Sequence, residues 1–453
     1  MVERTISGYE TTVAVGSAQL AAGGTVTTAG GAIANGMRSE AMGTRDATVL
    51  AEDETVDVTF NNAYTPGSVN LSGTKVWYDF NNIFSVRPDS LNLTFTRTAG
   101  SLSENVQIGT AEGDANYLSW QTSDTGNWIF TLSNVEQYAP NGQAWRYTVT
   151  EQLSDDTSQH YYAITGTSTV TAGTSQRFRL ENALNGEASV EKSWQDGDDP
   201  YGLRPETVTV ELQARYRTAA TDTAGEGTWS SWQNAYDVWN AFANSEDLAS
   251  AGLTEAFTSS TLSADNGWSS SWTHLPVLAR LTANDPLNEI EYRVIETAVG
   301  GQQIANAPND GGEYSDIHPY QPSQKTRKAE DANAWHTTIT NSLDAASITA
   351  SKSWKGDALN NVDDAWGTRP TNGDGDWQAT YFLQSSKDNG TTWQWVVEAG
   401  SEAADSAIDP GVVSLVITPS MMGDGDTNHE VTANPDGSYS VTWKNLPAYD
   451  MDG

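Results

Sequence analysis

Lys75, Lys192 and Lys352 each stand two places before a tryptophan, in Lys75-Val-Trp77, Lys192-Ser-Trp194 and Lys352-Ser-Trp354. In a strand, residues two apart share a face. Lys75 is in step with Leu71 and Trp77, Lys192 with Val190 and Trp194, and Lys352 with Ile348 and Trp354, so each lysine points to an apolar side. Glu151 is in step with Tyr147 and Val149, and Glu296 with Tyr292 and Val294. Asn62 follows Val58 and Phe60, Asn182 follows Phe178 and Leu180, and Asn341 lies between Ile339 and Leu343. Lysine and glutamate are almost never buried unless paired. One chemistry for such a set is a buried Lys-Glu ion pair with an asparagine hydrogen bond. The other is a self-made cross-link. Desolvation lowers the lysine pKa and raises that of glutamate, and a neutral amine held against an amide carbonyl can attack it while the carboxyl moves protons and ammonia leaves. The product is a Lys-Asn isopeptide bond. Strand parity leaves both readings open.

The elements around these residues repeat. Arg-Pro follows at the same interval after Lys75 (Arg87-Pro88) and Lys192 (Arg204-Pro205), and further on after Lys352 (Arg369-Pro370). A fixed frame with variation in its turns is the mark of a duplicated unit, here two strands joined by an acidic loop. Residues 65–184 read as a complete unit, with strand patterns near Lys75, Leu91, Asn127–Leu132, Trp145–Glu151, Tyr161–Ile164 and Phe178–Asn182. Residues 185–344 repeat that order and add an insertion, 219–262, in which Tyr236 to Leu253 has weak helical character. Residues 1–64 read as the back half of a unit, ending in its closing strand, and 345–453 as only its opening part, so the chain reads as a fragment of a longer protein. Short alternating strands at this spacing predict tandem all-β sandwiches.

Composition agrees. The chain has 453 residues, enough for three or four domains, and only 37% are hydrophobic. Lys+Arg total 23 against 59 Asp+Glu, and the net charge of −36 repels nucleic acid and anionic membrane surfaces. There is no cysteine, so an exported chain needs a staple other than a disulfide. No apolar run approaches membrane-spanning length and no signal-peptide pattern opens the chain.

Lys-x-Trp, an acidic turn, Arg-Pro, a Val-x-Val-x-Leu strand, Trp-x-x-Leu-Pro (Trp272–Pro276 and Trp443–Pro447), Tyr-x-Val-x-Glu and a closing Ile-Thr-Asn together resemble the collagen-adhesin B-type (Cna B-type) domain. The resemblance covers essentially the whole chain, in four copies of which two are complete. It implies immunoglobulin-like or prealbumin-like β-sandwiches of a Gram-positive surface protein, many of which close an intramolecular Lys-Asn isopeptide bond with a catalytic glutamate. Carried over by motif, the lysines are Lys75 and Lys192, the glutamates Glu151 and Glu296, and the asparagines Asn182 and Asn341. Asn62 and Lys352 are left as unpaired cross-link positions, with Glu3 a weak candidate in the first fragment. Residues 132–135 (Leu-Ser-Asn-Val) depart from the usual Asn-Leu-Pro, and neither a Tyr-Pro-Lys pilin motif nor a Leu-Pro-x-Thr-Gly sorting signal is present.

The remaining signals are weaker. Asp424-Gly-Asp426-Thr-Asn428 begins like a calcium loop but has His429 and Pro435 where glycine and glutamate belong, so it reads as an acidic turn, as do Gly373–Asp376 and Asp196–Asp199. No metal or other cofactor is expected, and no catalytic cycle beyond single-turnover cross-linking. Of the tryptophans, Trp229, Trp232, Trp239, Trp393 and Trp395 lie off the repeat and are candidates for gripping a glycan or a host matrix protein. The expectation is a monomeric rod, the stalk of an extracellular cell-surface adhesin held to the wall through another part of the protein. The runner-up is a segment that binds ligand itself, and a paired-carboxylate hydrolase has little support.

Overall fold

A computed structural model of the chain describes residues 58–122, 126–164, 166–218, 227–304, 319–356, 366–369, 377–421, 423, 425, 428–434 and 438–450, with 2–3, 6–15, 26–29 and 41–45. Asp424, Asp426, Pro370, Gly373–Asp376 and 219–226 lie outside them. The architecture is all-β, with a few short helical turns. The chain divides into two compact units, 1–186 with 276–285, and 187–275 with 286–453.

In the first unit a five-stranded sheet runs in the order Tyr161–Ile164, Phe178–Leu184, Ser68–Tyr78, Trp128–Glu136, Tyr117–Thr122. A four-stranded sheet has the order Thr169–Thr171, Arg146–Gln152, Asn92–Ala99, Leu102–Val106. Inward residues of both sheets, among them Leu71, Phe95, Phe130, Leu132, Tyr147, Val149 and Phe178, form one core. Alternation is the cause: along Ser68–Tyr78, residues 71, 73, 75 and 77 are buried and those between are not. Gly73 is required at its place, since a Cβ there would stand 2.2 Å from the Phe130 ring. The opening strand Ser68–Tyr78 pairs in parallel with the closing strand Phe178–Leu184, whereas its other neighbour is antiparallel.

The second unit repeats this plan. The opening strand Gly186–Gln195 lies parallel to Ala334–Leu343 in a sheet ordered Ser269–Leu275, Gly186–Gln195, Ala334–Leu343, Tyr320–Lys328. Val208–Arg217 and Asn288–Val299 pair in a second sheet, which carries Glu296. The insertion contains two short helices, Ala235–Asn240 and Ser245–Ser250, capped by Asn234 and Asn244. Residues 345–453 contribute a sheet ordered Ala345–Lys352, Tyr439–Pro447, His429–Ala433, and a core with Trp377, Ile417, Val431, Val441 and Trp443.

Two expected inward positions differ. Asn62 is exposed and accepts a hydrogen bond from the Thr11 hydroxyl at 2.5 Å. Among the described residues its strand, Val58–Tyr64, belongs to a two-stranded sheet with Tyr9–Val15, whereas the buried asparagines sit on strands flanked on both sides. Ile348 is 51% exposed, and Lys352 is half-buried. The strand Ala345–Lys352 has a register shift between Ala346 and Ile348 and, among the described residues, a neighbour on one edge only.

Candidate functional site

The parallel pairing of opening and closing strands decides which side chains meet. Lys75 stands opposite Leu180 and Trp77 opposite Asn182. Lys192 stands opposite Ile339 and Trp194 opposite Asn341. The amine of Lys75 lies over the Trp77 ring, 4.6 Å from its centroid, and that of Lys192 lies 4.5 Å over Trp194. Each amine is therefore carried along its strand toward the pair that includes the asparagine.

The glutamates reach in from the other sheet. Glu151 Oε2 is 2.8 Å from Lys75 Nζ, and its Oε1 accepts from Asn182 Nδ2 at 3.0 Å. In the second unit Lys192 Nζ is 3.4 Å from Glu296 Oε1, which also accepts from Asn341 Nδ2 at 3.2 Å. Lys75, Asn182, Glu296 and Asn341 have no exposed surface. The carbonyl oxygens Oδ1 of Asn182 and Asn341 are buried and accept no hydrogen bond, which leaves each amide open to a donor.

Burial disfavours charge here. It pushes the Lys75 amine down to about 8, against the pull of Glu151 and more distant carboxylates. Burial likewise pushes Lys192 down to about 8. The carboxyl of Glu296 is raised by the same loss of solvent, with Lys192 and Asn341 opposing. In the second unit an amine shifted toward its neutral form, a carboxyl shifted toward its protonated form and an amide thus share a dry site, and in the first unit the similarly shifted Lys75 amine meets Glu151 and the Asn182 amide. They are the parts of an acyl transfer from the amide nitrogen to the lysine.

A second set of residues surrounds each lysine that strand parity could not reveal. Asp79, 1% exposed, accepts from Arg87 Nε and Nη2 at 2.5 and 2.6 Å and from the Tyr161 hydroxyl at 2.8 Å. Asp196 accepts from Arg204 Nε and Nη2, both at 2.6 Å, and from Tyr320 at 3.1 Å. The sequence signal for them was the repeated Arg-Pro itself, together with an aspartate at the same place in both acidic turns; in the third copy that place is Gly356.

Lys352 lies 4.3 Å over Trp354 and has no described counterpart of the glutamate and asparagine strands. The off-repeat tryptophans divide. Trp239 is wholly buried and donates to the Tyr292 hydroxyl at 3.1 Å, so it is core and cannot grip a ligand. Trp229 and Trp232 interleave with Arg215, Arg217 and Arg293 at 4.6 to 5.4 Å and fasten the insertion to its sheet. Trp395 is half-buried, whereas Trp393 is 58% exposed. Among the described residues no group of acidic or histidine side chains could hold a metal, and no helix is long and apolar enough to cross a membrane.

Fold and site define a class, tandem β-sandwiches with a buried Lys-Glu-Asn centre. Two successive stretches, residues 71–173 and 188–247, match the Cna protein B-type domain. The first match includes Lys75 and Glu151, and the second includes Lys192 and ends within the insertion. A curated relative, a collagen adhesin of Staphylococcus aureus, is 30% identical over 184 residues, a match covering 39% of this chain and 14% of the adhesin. Among solved structures, two B repeat units of the collagen-binding protein of S. aureus are 16% identical, over 96% of this chain and 97% of that one, with a TM-score of 0.20. A mutant of the major pilin of Streptococcus pyogenes is 12% identical over 61% and 99%, also with a TM-score of 0.20.

Proposed function

We propose that this chain is a stalk segment of a bacterial cell-surface adhesin, and that its two complete domains close Lys75-Asn182 and Lys192-Asn341 isopeptide bonds with Glu151 and Glu296 as proton carriers. The observation that carries the reading is the meeting, twice in one chain, of a desolvated amine, a carboxyl and an amide. The amine nitrogen attacks the amide carbon, a new C–N bond forms, and the bond to Nδ2 breaks. The proton lost by the amine passes through the glutamate to Nδ2, which leaves as ammonia, and the glutamate ends unchanged. Placement in a water-excluded site supplies the effective concentration that makes a slow amide exchange feasible once per molecule.

Domains of this kind, repeated and acidic, suit a spacer at the cell surface that holds a head able to bind host matrix protein or glycan. The matched collagen adhesin supports the adhesin reading. The test is an intact mass with peptide mapping. Two ammonias should be missing, assigned to Lys75-Asn182 and Lys192-Asn341, with Lys352 in no linked peptide. A full sequence mass would instead establish the buried ion pair. A second reading, direct glycan binding by this segment, keeps one observation in its favour, the exposed Trp393, and a glycan array with the Trp393→Ala variant decides it.

A further inference from the structure

The aspartate clusters beside the two lysines have no part in the chemistry above, yet both are built in the same way. Burying a carboxylate is costly unless it is paired, and each is paired three times over. The partners converge on one indole. Trp77 has the Arg87 guanidinium 5.6 Å from its centroid, Tyr161 edge-on at 5.1 Å and Trp128 edge-on at 5.4 Å. Trp194 has Tyr320 edge-on at 5.0 Å and Trp268 at 5.3 Å. The lysine amine rests on that same ring in both units, and the ring's own register partner is the asparagine.

We propose that Asp79 and Asp196 are positioning residues for the cross-link: Asp79 through Arg87 and Tyr161, and Asp196 through Tyr320, hold the tryptophan on which the lysine amine rests and so keep the amine aimed at the asparagine. The proposal rests on the isopeptide reading. In the third copy, where Gly356 replaces the aspartate, Lys352 still lies over Trp354. The lysine contact forms without an aspartate at that position, and the aspartate's contribution is to hold the ring still. Its loss therefore slows the reaction and does not abolish it. The charge of the aspartate has the opposite effect, since it favours the protonated amine. A role through charge alone predicts faster bonding when the carboxylate is removed.

The experiment follows ammonia loss by intact mass and peptide mapping at intervals after cell-free synthesis of the full chain. Asp79→Ala should slow bonding in residues 65–184 by about ten-fold or more, the scale expected when a reacting group is displaced by a fraction of an ångström to an ångström, while residues 185–344 react at the wild-type rate. In a Trp77→Phe background the aspartate change should add nothing, because it acts through that ring. Tyr161→Phe, which removes one hydrogen bond only, should slow the reaction in the same direction and serves if Asp79→Ala does not fold. Unchanged or faster bonding in the folded variants, or slowing that adds fully to that of Trp77→Phe, overturns the positioning role. A wild-type chain that loses no ammonia from either unit overturns the isopeptide reading itself, a result that needs no variant.

Discussion

At the residue scale, the proposed cross-linking has Glu296 and Glu151 carry protons without entering the product. Glu296→Ala should therefore leave residues 185–344 folded but unlinked, as read by mass after proteolysis, and a linked peptide in that variant would remove the glutamate from the mechanism. Lys192→Ala loses the link outright. A tie between residues 192 and 341 constrains the unfolded chain as a disulfide would, so its loss should cost roughly 5 kcal/mol, read as a lower melting temperature and faster protease cleavage. Equal melting temperatures would argue against the link. The rate of bonding should be bell-shaped in pH. Below the lowered amine value of about 8 protonation removes the nucleophile, and above the raised value of Glu296 ionisation removes its proton, so the rate passes through a maximum between the two as the pair titrates together. A profile that rises steadily with pH would show that the glutamate proton is not needed.

At the scale of elements, the same irregularity recurs in three strands. Asn134, His274 and Asn445 adopt positive φ of 55°, 60° and 54°, each near the end of the strand paired with, or bonded to, a lysine strand. Asparagine tolerates this region better than most residues and β-branched ones poorly. The Asn-Leu-Pro pattern thus marks a bulge, and residues 132–135 keep its asparagine even without Leu-Pro. Asn134→Val should cost about 1–2 kcal/mol in denaturant unfolding, and Gly73→Ala about 1–3 kcal/mol because Phe130 must give way; neutrality in either would mean that the backbone relaxes freely. Strand parity made Leu71, Lys75 and Trp77 legible, because an alternating run between two sheets has only one way to face. It could not reveal the Asp79 cluster, since Tyr161 lies 82 positions away and only the folded sheet brings it to the carboxylate. It misplaced Asn62 and Ile348 because parity tells which residues share a face, not whether that face is covered. Trp239 was missed as core for a related reason: the insertion breaks the repeat, and nothing local tells a loop tryptophan from one that closes a sandwich.

At the scale of the whole molecule, the opening and closing strands of each complete domain are parallel neighbours. A pull on the chain entering at Ser68 and leaving at Leu184 drags these two strands in opposite directions along their length. Their hydrogen bonds must then shear together and cannot unzip singly. With Lys75 joined to Asn182, tension crosses from the first strand to the last through a single amide, and the strands between them carry none of it. With Lys192 joined to Asn341, the insertion of residues 219–262 is bypassed in the same way, so it can lengthen without weakening its domain. In a single-molecule stretching experiment residues 76–181 should add no length at any force short of breaking a covalent bond, and Glu151→Ala should release all of it.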